Sequence, residues 1–202
     1  MKAISSIALA VTLFAAAPLH AHSRDAFQAQ MRKLWEDHVT WTRLYIISAA
    51  AGLPDTQLTA NRLLDNQRDI GNAVAEFYGK DAGDKLTSLL RDHILIAADL
   101  VGAAKAGDNA KVATLDKKWH DNADEIATFL HGANPNHWPL ATLKSAMKEH
   151  LDQTLDEASH RLKGDYAADI KDYDKIVSHI LMMADVLSDG IIKQFPKKFD
   201  KA

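Results

Sequence analysis

Residues 86–101 read LTSLLRDHILIAADLV, and their apolar side chains recur every three or four positions. This spacing places the apolar side chains on one face of an α-helix. The stripe consists of Leu86, Leu89, Leu90, Ile94, Ala97 and Val101. No window of the sequence shows the sustained two-residue alternation that is typical of a strand, so the sequence predicts an all-α protein.

Glycine and proline divide the rest of the chain into helical segments. Six of the nine glycines stand where a helix is expected to end, because glycine adopts the left-handed conformation that closes a helix. These six are Gly52, Gly79, Gly107, Gly132, Gly164 and Gly190. The segments between them predict helices at residues 25–51, 56–78, 82–106, 109–131, 138–163 and 166–194. We expect the six helices to pack as one bundle.

An internal repeat runs through the odd-numbered predicted helices. Its copies are WEDHV at residues 35–39, LRDHI at 90–94 and MKEHL at 147–151, and each contains an acidic residue, a histidine and a branched apolar residue. Fourteen residues after each histidine comes a glycine, followed by an aspartate suited to cap the next helix. These pairs are Gly52 and Asp55, Gly107 and Asp108, and Gly164 and Asp165. The repeat predicts three related antiparallel helical hairpins, and coincidence among generic amphipathic helices is the alternative.

The repeated histidines predict a metal site. A buried imidazole needs a hydrogen-bond partner, and the segments GNAVA, ADEIA and ADVLS place Asn72, Asp124 and Asp185 at equivalent positions on the return helices. Imidazole and carboxylate together suit zinc, copper or iron. The predicted metal ligands are His38, His93, His150, Asp124 and Asp185.

A small ligand is the other predicted occupant of the same site. Thr42 lies one helical turn after His38, and Asp69 lies one helical turn before Asn72. The predicted ligand-binding residues are Thr42, Arg43, Asp69 and Asn72. Arg43 stands on an otherwise apolar helix and therefore needs an acidic partner, for which Asp69 and Asp99 are the candidates.

Other interpretations of these residues remain open at this stage. The His–Asp and His–Asn pairs would serve equally well to fix helix register in a structural or interaction protein, and the charged helix faces suit association with a surface. Met147, Met182 and Met183 are possible soft copper ligands, although methionines at helical spacing are more often core residues. His22 would chelate copper if it became the amino terminus.

Residues 1–21, MKAISSIALAVTLFAAAPLHA, have the layout of a secretory signal peptide. One lysine precedes an apolar stretch that is too short for a good transmembrane span, and a small residue, Ala21, ends the segment. The sequence therefore predicts a periplasmic or secreted bacterial protein whose residues 22–202 form a single domain. Since the chain contains no cysteine, disulfides and thiolate metal sites are excluded.

Composition and motifs exclude several classes of function. The formal net charge is −3 and no long basic run is present, which gives no support to nucleic-acid binding. The sequence has no glycine-rich phosphate loop, no Gly-x-Ser-x-Gly motif and no alternation of strands and helices. These absences give little support to an enzymatic function, without deciding against one.

The chain resembles a family of small secreted all-helical bacterial proteins whose role is not established. The resemblance lies in LWEDHVTWTRLYIISAAAGLPD, GNAVAEFYG, DNADEIATFL, GDYAADIKDYDKI and LMMADVLSDGIIKQF. It implies that His38, Thr42, Arg43, Asp69, His93, Asp124, His150 and Asp185 match the family pattern. The labels glycosyltransferase and acetylglutamate kinase sometimes given to such proteins require nucleotide-binding α/β folds, which this sequence does not predict. His179 departs from the family pattern and is not part of the predicted site.

Overall fold

A computed structural model describes residues 22–199, and the predicted leader at residues 1–21 lies outside this range. The helices are α1 (Arg24–Ala51), α2 (Thr56–Tyr78), α3 (Lys80–Lys105), α4 (Asn109–Ala133), α5 (Leu140–Lys163) and α6 (Tyr166–Gln194). A short 3₁₀ turn, Pro196–Lys198, follows. The all-α prediction is confirmed, and the predicted helix ends agree with the observed ones to within about two residues.

The helices are arranged as a closed ring around a central contact. Each helix packs on its neighbours in sequence, and α6 closes the ring by packing on α1. The odd-numbered helices α1, α3 and α5 also contact one another across the centre. Because α2 packs on α3 as well as on α1, the packing does not separate three hairpins, and the hairpin repeat stays a prediction.

Buried apolar residues recur at equivalent positions of the repeat on the odd-numbered helices. Seven residues before the histidines stand Met31, Leu86 and Leu143, and three residues before them stand Trp35, Leu90 and Met147. All six belong to the main apolar cluster. On the far side of the histidines, Ile46, Val101 and Ala158 form a second, smaller cluster. The repeated histidines therefore lie between these two sets of buried apolar positions along α1, α3 and α5.

The helix ends confirm most of the capping signals in the sequence. Gly52, Gly107 and Gly164 have positive φ angles of 68°, 73° and 78°, which is the left-handed conformation expected of them. Asp108 and Asp165 accept hydrogen bonds from the backbone of the following helix, whereas the side chain of Asp55 makes no such bond. Two of the three predicted aspartate caps are thus confirmed.

Gly132 lies one residue before the end of α4, close to its predicted place. Gly190 does not end a helix, because α6 continues for four residues beyond it to Gln194. A Cβ atom at Gly190 would lie 2.0 Å from Nε1 of Trp138, so this glycine makes room for a buried indole rather than for a turn. The indole N–H donates to the carbonyl of Val186 at 3.2 Å.

Within residues 22–199, no helix has both the length and the apolar character that crossing a bilayer requires.

Candidate functional site

The three repeated histidines meet at the centre of the bundle. His38, His93 and His150 lie on α1, α3 and α5, and each is at most 4% exposed. The ring centroids of His38 and His150 are 5.6 Å apart, and those of His93 and His150 are 6.4 Å apart. Equivalent positions on three helices thus bring three imidazoles into one layer, which we call the histidine layer.

A small cavity adjoins the histidine layer on the side of the smaller apolar cluster. Its volume is about 40 Å³, and its walls are mainly apolar. The polar and aromatic side chains that line it are His38, Thr42, Tyr45, His93, Trp119, His150 and Thr154. Since an apolar cavity of about 150 Å³ accepts benzene, this cavity has room for a molecule of only a few non-hydrogen atoms.

Two histidines have an amide partner on the following helix. The Gln67 amide donates to Nδ1 of His38 at 3.3 Å, and Nδ1 of His93 donates to Oδ1 of Asn122 at 2.8 Å. Both partners lie 29 residues after their histidine. His179 occupies the corresponding position after His150.

The predicted partners Asn72, Asp124 and Asp185 are therefore wrong for this role. Asn72 and Asp124 are exposed, and none of the three lines the cavity. The similarity of GNAVA, ADEIA and ADVLS did identify related helices, but it selected the wrong register. The predicted residues lie five, two and six positions after the true partners, and these offsets place them on another face of the helix.

A second set of hydrogen bonds joins each even-numbered helix to the backbone of the preceding odd-numbered helix. The bonds run from Asn66 to Leu34, from Asn122 to Leu89 and from His179 to Ala146, at 3.0, 3.1 and 2.9 Å. Each accepting carbonyl belongs to the residue four positions before a repeated histidine. These bonds fix the relative heights of the helices, because a slip of one turn would leave a buried side-chain N–H donor without an acceptor.

The third position differs from the other two because it has an imidazole where they have amides. An amide group has both an N–H donor and an acceptor oxygen. Asn122 therefore donates to the carbonyl of Leu89 and accepts from His93. His179 donates through Nε2 to Ala146, and its Nδ1 lies 3.7 Å from Oε1 of Glu149. Nδ1 of His150 is left without a partner, and so is Nε2 of His93.

Burial keeps the three rings of the histidine layer neutral. Desolvation lowers the pKa of His38 to about 3 and that of His93 to about 4, with a smaller contribution from nearby histidines. The same cause lowers the pKa of His150 well below the ordinary value, and the neighbouring histidines add to the effect. A neutral imidazole offers one N–H donor and one lone pair, which is the form that accepts a hydrogen bond or binds a metal.

The carboxylates of the predicted metal set do not join the histidines. Asp124 pairs with Lys144 at 2.7 Å, and Asp185 pairs with Arg32 at 2.6 Å. Among residues 22–199, no group of three or more His, Asp or Glu side chains is placed to hold a metal ion. The predicted metal site therefore has no support from the geometry.

The predicted ligand-binding residues also separate. Thr42 lines the cavity, where its hydroxyl donates to the backbone carbonyl of His38 at 2.8 Å. Thr154 makes the equivalent bond to His150, also at 2.8 Å. Asp69 does not line the cavity. Of the predicted ligand-binding residues, Thr42 therefore lies at the site, whereas Asp69 and Asn72 do not.

Arg43 belongs to a separate buried ion cluster. It donates to Glu157 at 2.5 Å and to Asp169 at 2.7 Å, and both carboxylates are 1% exposed. Arg161 also binds Asp169, at 3.2 Å. We call these four residues the ion cluster, and they correct the predicted pairing of Arg43 with Asp69 or Asp99.

Burial raises the pKa of Glu157 to about 7, although Arg43 opposes the shift. The sequence signal for the ion cluster was Arg43, the last charged residue of α1, which directly precedes the run LYIISAAA. Its partners come from α5 and α6, more than a hundred residues away along the chain.

Comparison of the chain with protein-family models, with curated proteins and with solved structures gives no significant match. The resemblance to a family of small secreted proteins therefore stays a prediction. The function has to be argued from the geometry alone.

Proposed function

We propose that this protein binds a small uncharged molecule in the central cavity, within the predicted periplasmic or extracellular compartment. The molecule donates an O–H or N–H hydrogen bond to a lone pair of the histidine layer. The observation that carries the proposal is the pair of buried imidazole atoms without a protein partner, Nδ1 of His150 and Nε2 of His93, beside a cavity of about 40 Å³.

The energetics of the site favour a ligand of this kind. A buried polar atom without a hydrogen bond costs about 1–3 kcal/mol, so a molecule that supplies the bond is stabilised relative to water outside. The walls are mainly apolar, which penalises a charged ligand. A divalent metal ion is less favoured, since no carboxylate lines the cavity to balance its charge.

Analysis of the contents of the purified protein tests the proposal. The full chain is expressed with its leader, recovered without an affinity tag and denatured, and the released molecules are identified by mass spectrometry alongside elemental analysis for metals. We expect about one small molecule per chain in the wild type and its loss in His150→Leu. A protein that releases no such molecule, or a His150→Leu variant that retains it, contradicts the proposal.

Methanol serves as a defined probe of the same site. Titrated into protein labelled with ¹⁵N at histidine, methanol is expected to shift the ring-nitrogen signals of His93 or His150, because its hydroxyl donates to a free lone pair. Xenon is the matched control, since it fills apolar cavities without hydrogen bonding. Equal responses to methanol and xenon, or no response to either, would show that the rings do not recognise a donor.

A structural role for the histidines is the second candidate. It is favoured by the hydrogen bonds that tie Asn66, Asn122 and His179 to the backbone of the odd-numbered helices, since these bonds fix register without any ligand. A protein of this kind would release no molecule, and its stability would depend on His93 and His150 equally.

A further inference from the structure

A second cavity, of about 470 Å³, lies between α4, α5 and α6, with Trp35 of α1 in its wall. Three methionines line it: Met147 from α5, and Met182 and Met183 from α6. The chain has five methionines in all, so most of its thioether sulfur is gathered at this one cavity. We call Met147, His179, Met182 and Met183 the methionine–histidine cluster.

Three of these side chains come from neighbouring positions on α6 and line the same cavity. His179, Met182 and Met183 occupy positions i, i+3 and i+4, which lie together on one helical face. Met147 approaches the same cavity from α5. The set therefore comes from two packed helices, as donor sets do in other helical bundles that bind metals.

His179 has the hydrogen bonding of a metal ligand. Its Nε2–H donates to the backbone carbonyl of Ala146 at 2.9 Å, which fixes the tautomer and leaves Nδ1 with a lone pair. Metal-binding histidines commonly donate their other ring N–H to a backbone carbonyl in this way. The ring is 7% exposed, so the bond holds it in place at the wall of the cavity.

The donor set selects the metal. Thioether sulfur is soft and favours copper(I), whereas magnesium, calcium and manganese prefer oxygen ligands. A single positive charge is also easier to bury in an apolar cavity than a double one. Oε1 of Glu149 lies 3.7 Å from Nδ1 of His179 and would partly balance that charge. Met182 is 44% exposed, which gives an ion access to the cluster from solvent.

We propose that the methionine–histidine cluster is a binding site for one copper(I) ion, independent of the central cavity. Met147, Met182 and Met183 supply thioether ligands, and Nδ1 of His179 supplies the imidazole ligand. The site only binds the ion, and no electron transfer is part of the proposal.

Competition for copper(I) tests this site. The untagged, secreted protein is titrated without oxygen against the chromophoric chelator bicinchoninate, with ascorbate to keep the copper reduced. We expect one copper(I) per chain. Replacing Met147, Met182 and Met183 by Leu together is expected to weaken binding by more than about 100-fold, because loss of even an outer-shell partner costs about 10- to 100-fold.

Two variants make the result specific. Met31→Leu changes a buried methionine outside the cavity and is expected to bind copper(I) like the wild type. Exchange of Met for Leu conserves volume, and circular dichroism confirms that each variant folds. His150→Leu removes the central site and is also expected to leave copper(I) binding unchanged, so the two proposals fail independently.

Silver(I) provides a second readout because it shares the softness of copper(I) and is stable in air. In protein labelled with ¹³C at the methionine methyl groups, silver(I) is expected to shift the signals of Met147, Met182 and Met183 but not that of Met31. A wild type that does not compete for copper(I), a triple methionine variant that keeps its affinity, or a loss of binding in His150→Leu would overturn the proposal.

Discussion

The histidine layer and the ion cluster share helices α1 and α5, yet their buried polar groups are satisfied in opposite ways. Arg43 comes five residues after His38, and Glu157 comes seven residues after His150. In the ion cluster each buried charge meets an opposite charge within hydrogen-bond distance. In the histidine layer the rings are neutral, and two ring nitrogens have no partner at all.

We infer from this difference that the ion cluster serves folding, whereas the histidine layer serves the proposed ligand binding. Charges that are buried and paired hold helices together, because removing one leaves the other uncompensated. Two buried nitrogens of the histidine layer are unpaired at a cost in stability, and the proposed ligand would supply one of the missing hydrogen bonds. The predictions that follow test this contrast, beginning with the largest expected effect.

Acid is expected to destabilise the protein through the histidine layer. The folded-state pKa of His38 is about 3 and that of His93 about 4, below the ordinary 6.5, and the pKa of His150 is also lowered. Below about pH 6 the unfolded chain binds protons that the folded rings do not. As the pH is lowered, the free energy of unfolding therefore decreases by about 1.4 kcal/mol per pH unit for each ring.

Urea unfolding between about pH 7 and pH 4 measures this loss. The control variant carries His38→Gln, His93→Gln and His150→Gln together, and its stability is expected to depend much less on pH in this range. A wild type whose stability stays flat down to about pH 4 would show that the rings accept protons in the folded state.

Removal of the central cation is expected to be the most damaging single change in the ion cluster. Arg43→Met leaves Glu157 buried without a cation and Asp169 with only Arg161, which is expected to cost about 3–5 kcal/mol. The free energy of unfolding in urea measures the effect. Arg32→Met is the matched control, because it breaks an exposed pair with Asp185 and is expected to cost less than about 1 kcal/mol. Equal losses in the two variants would contradict the contrast between buried and exposed pairs.

The two histidines with unpaired atoms are expected to respond unequally to replacement by leucine. His93→Leu strands Oδ1 of Asn122 in the core and is expected to cost about 1–3 kcal/mol. His150→Leu removes a ring whose Nδ1 has no partner, so it is expected to be close to neutral or slightly stabilising. Thermal unfolding of both variants measures the difference. A loss in His150→Leu as large as that in His93→Leu would favour the structural role.

The smallest effect is expected from Glu157→Gln. Since burial raises the pKa of Glu157 from 4.5 to about 7, the folded protein holds an extra proton between these values. The contribution of Glu157 to the free energy of unfolding therefore increases as the pH falls, which opposes the effect of the histidines. At pH 7 the substitution is expected to change the stability by less than about 1 kcal/mol, but it steepens the acid loss by about 1.4 kcal/mol per pH unit. An unchanged slope in the urea series would show that Glu157 stays ionised.

The sequence predicted the parts of the fold that local chemistry controls. The helices follow from apolar residues at three- and four-residue spacing, and the ends at Gly52, Gly107 and Gly164 follow from the preference of glycine for positive φ. The shared positions of His38, His93 and His150 also came from pattern alone. Gly190 escaped this reasoning, since its role is to accommodate Trp138, which lies far away along the chain.

The sequence alone did not predict which polar side chains form hydrogen bonds between helices. Asn72, Asp124 and Asp185 are close to the true partners along the chain but lie on other faces of their helices, because each residue turns the side chain by about 100°. His179 was set aside because it differs from a family pattern, although it occupies the same position as Asn122. Its equivalence became visible only from its bond to Ala146.

The sequence by itself thus determined the six helices, their ends and the three histidines that share one register, because these depend on residues within a few turns of one another. Only the tertiary structure decided what each buried polar group meets. It gave Arg43 its carboxylates from α5 and α6, left Nδ1 of His150 unpaired and gathered three thioethers around one cavity. These outcomes depend on the rotation and height of whole helices, which the packing of the entire bundle sets together.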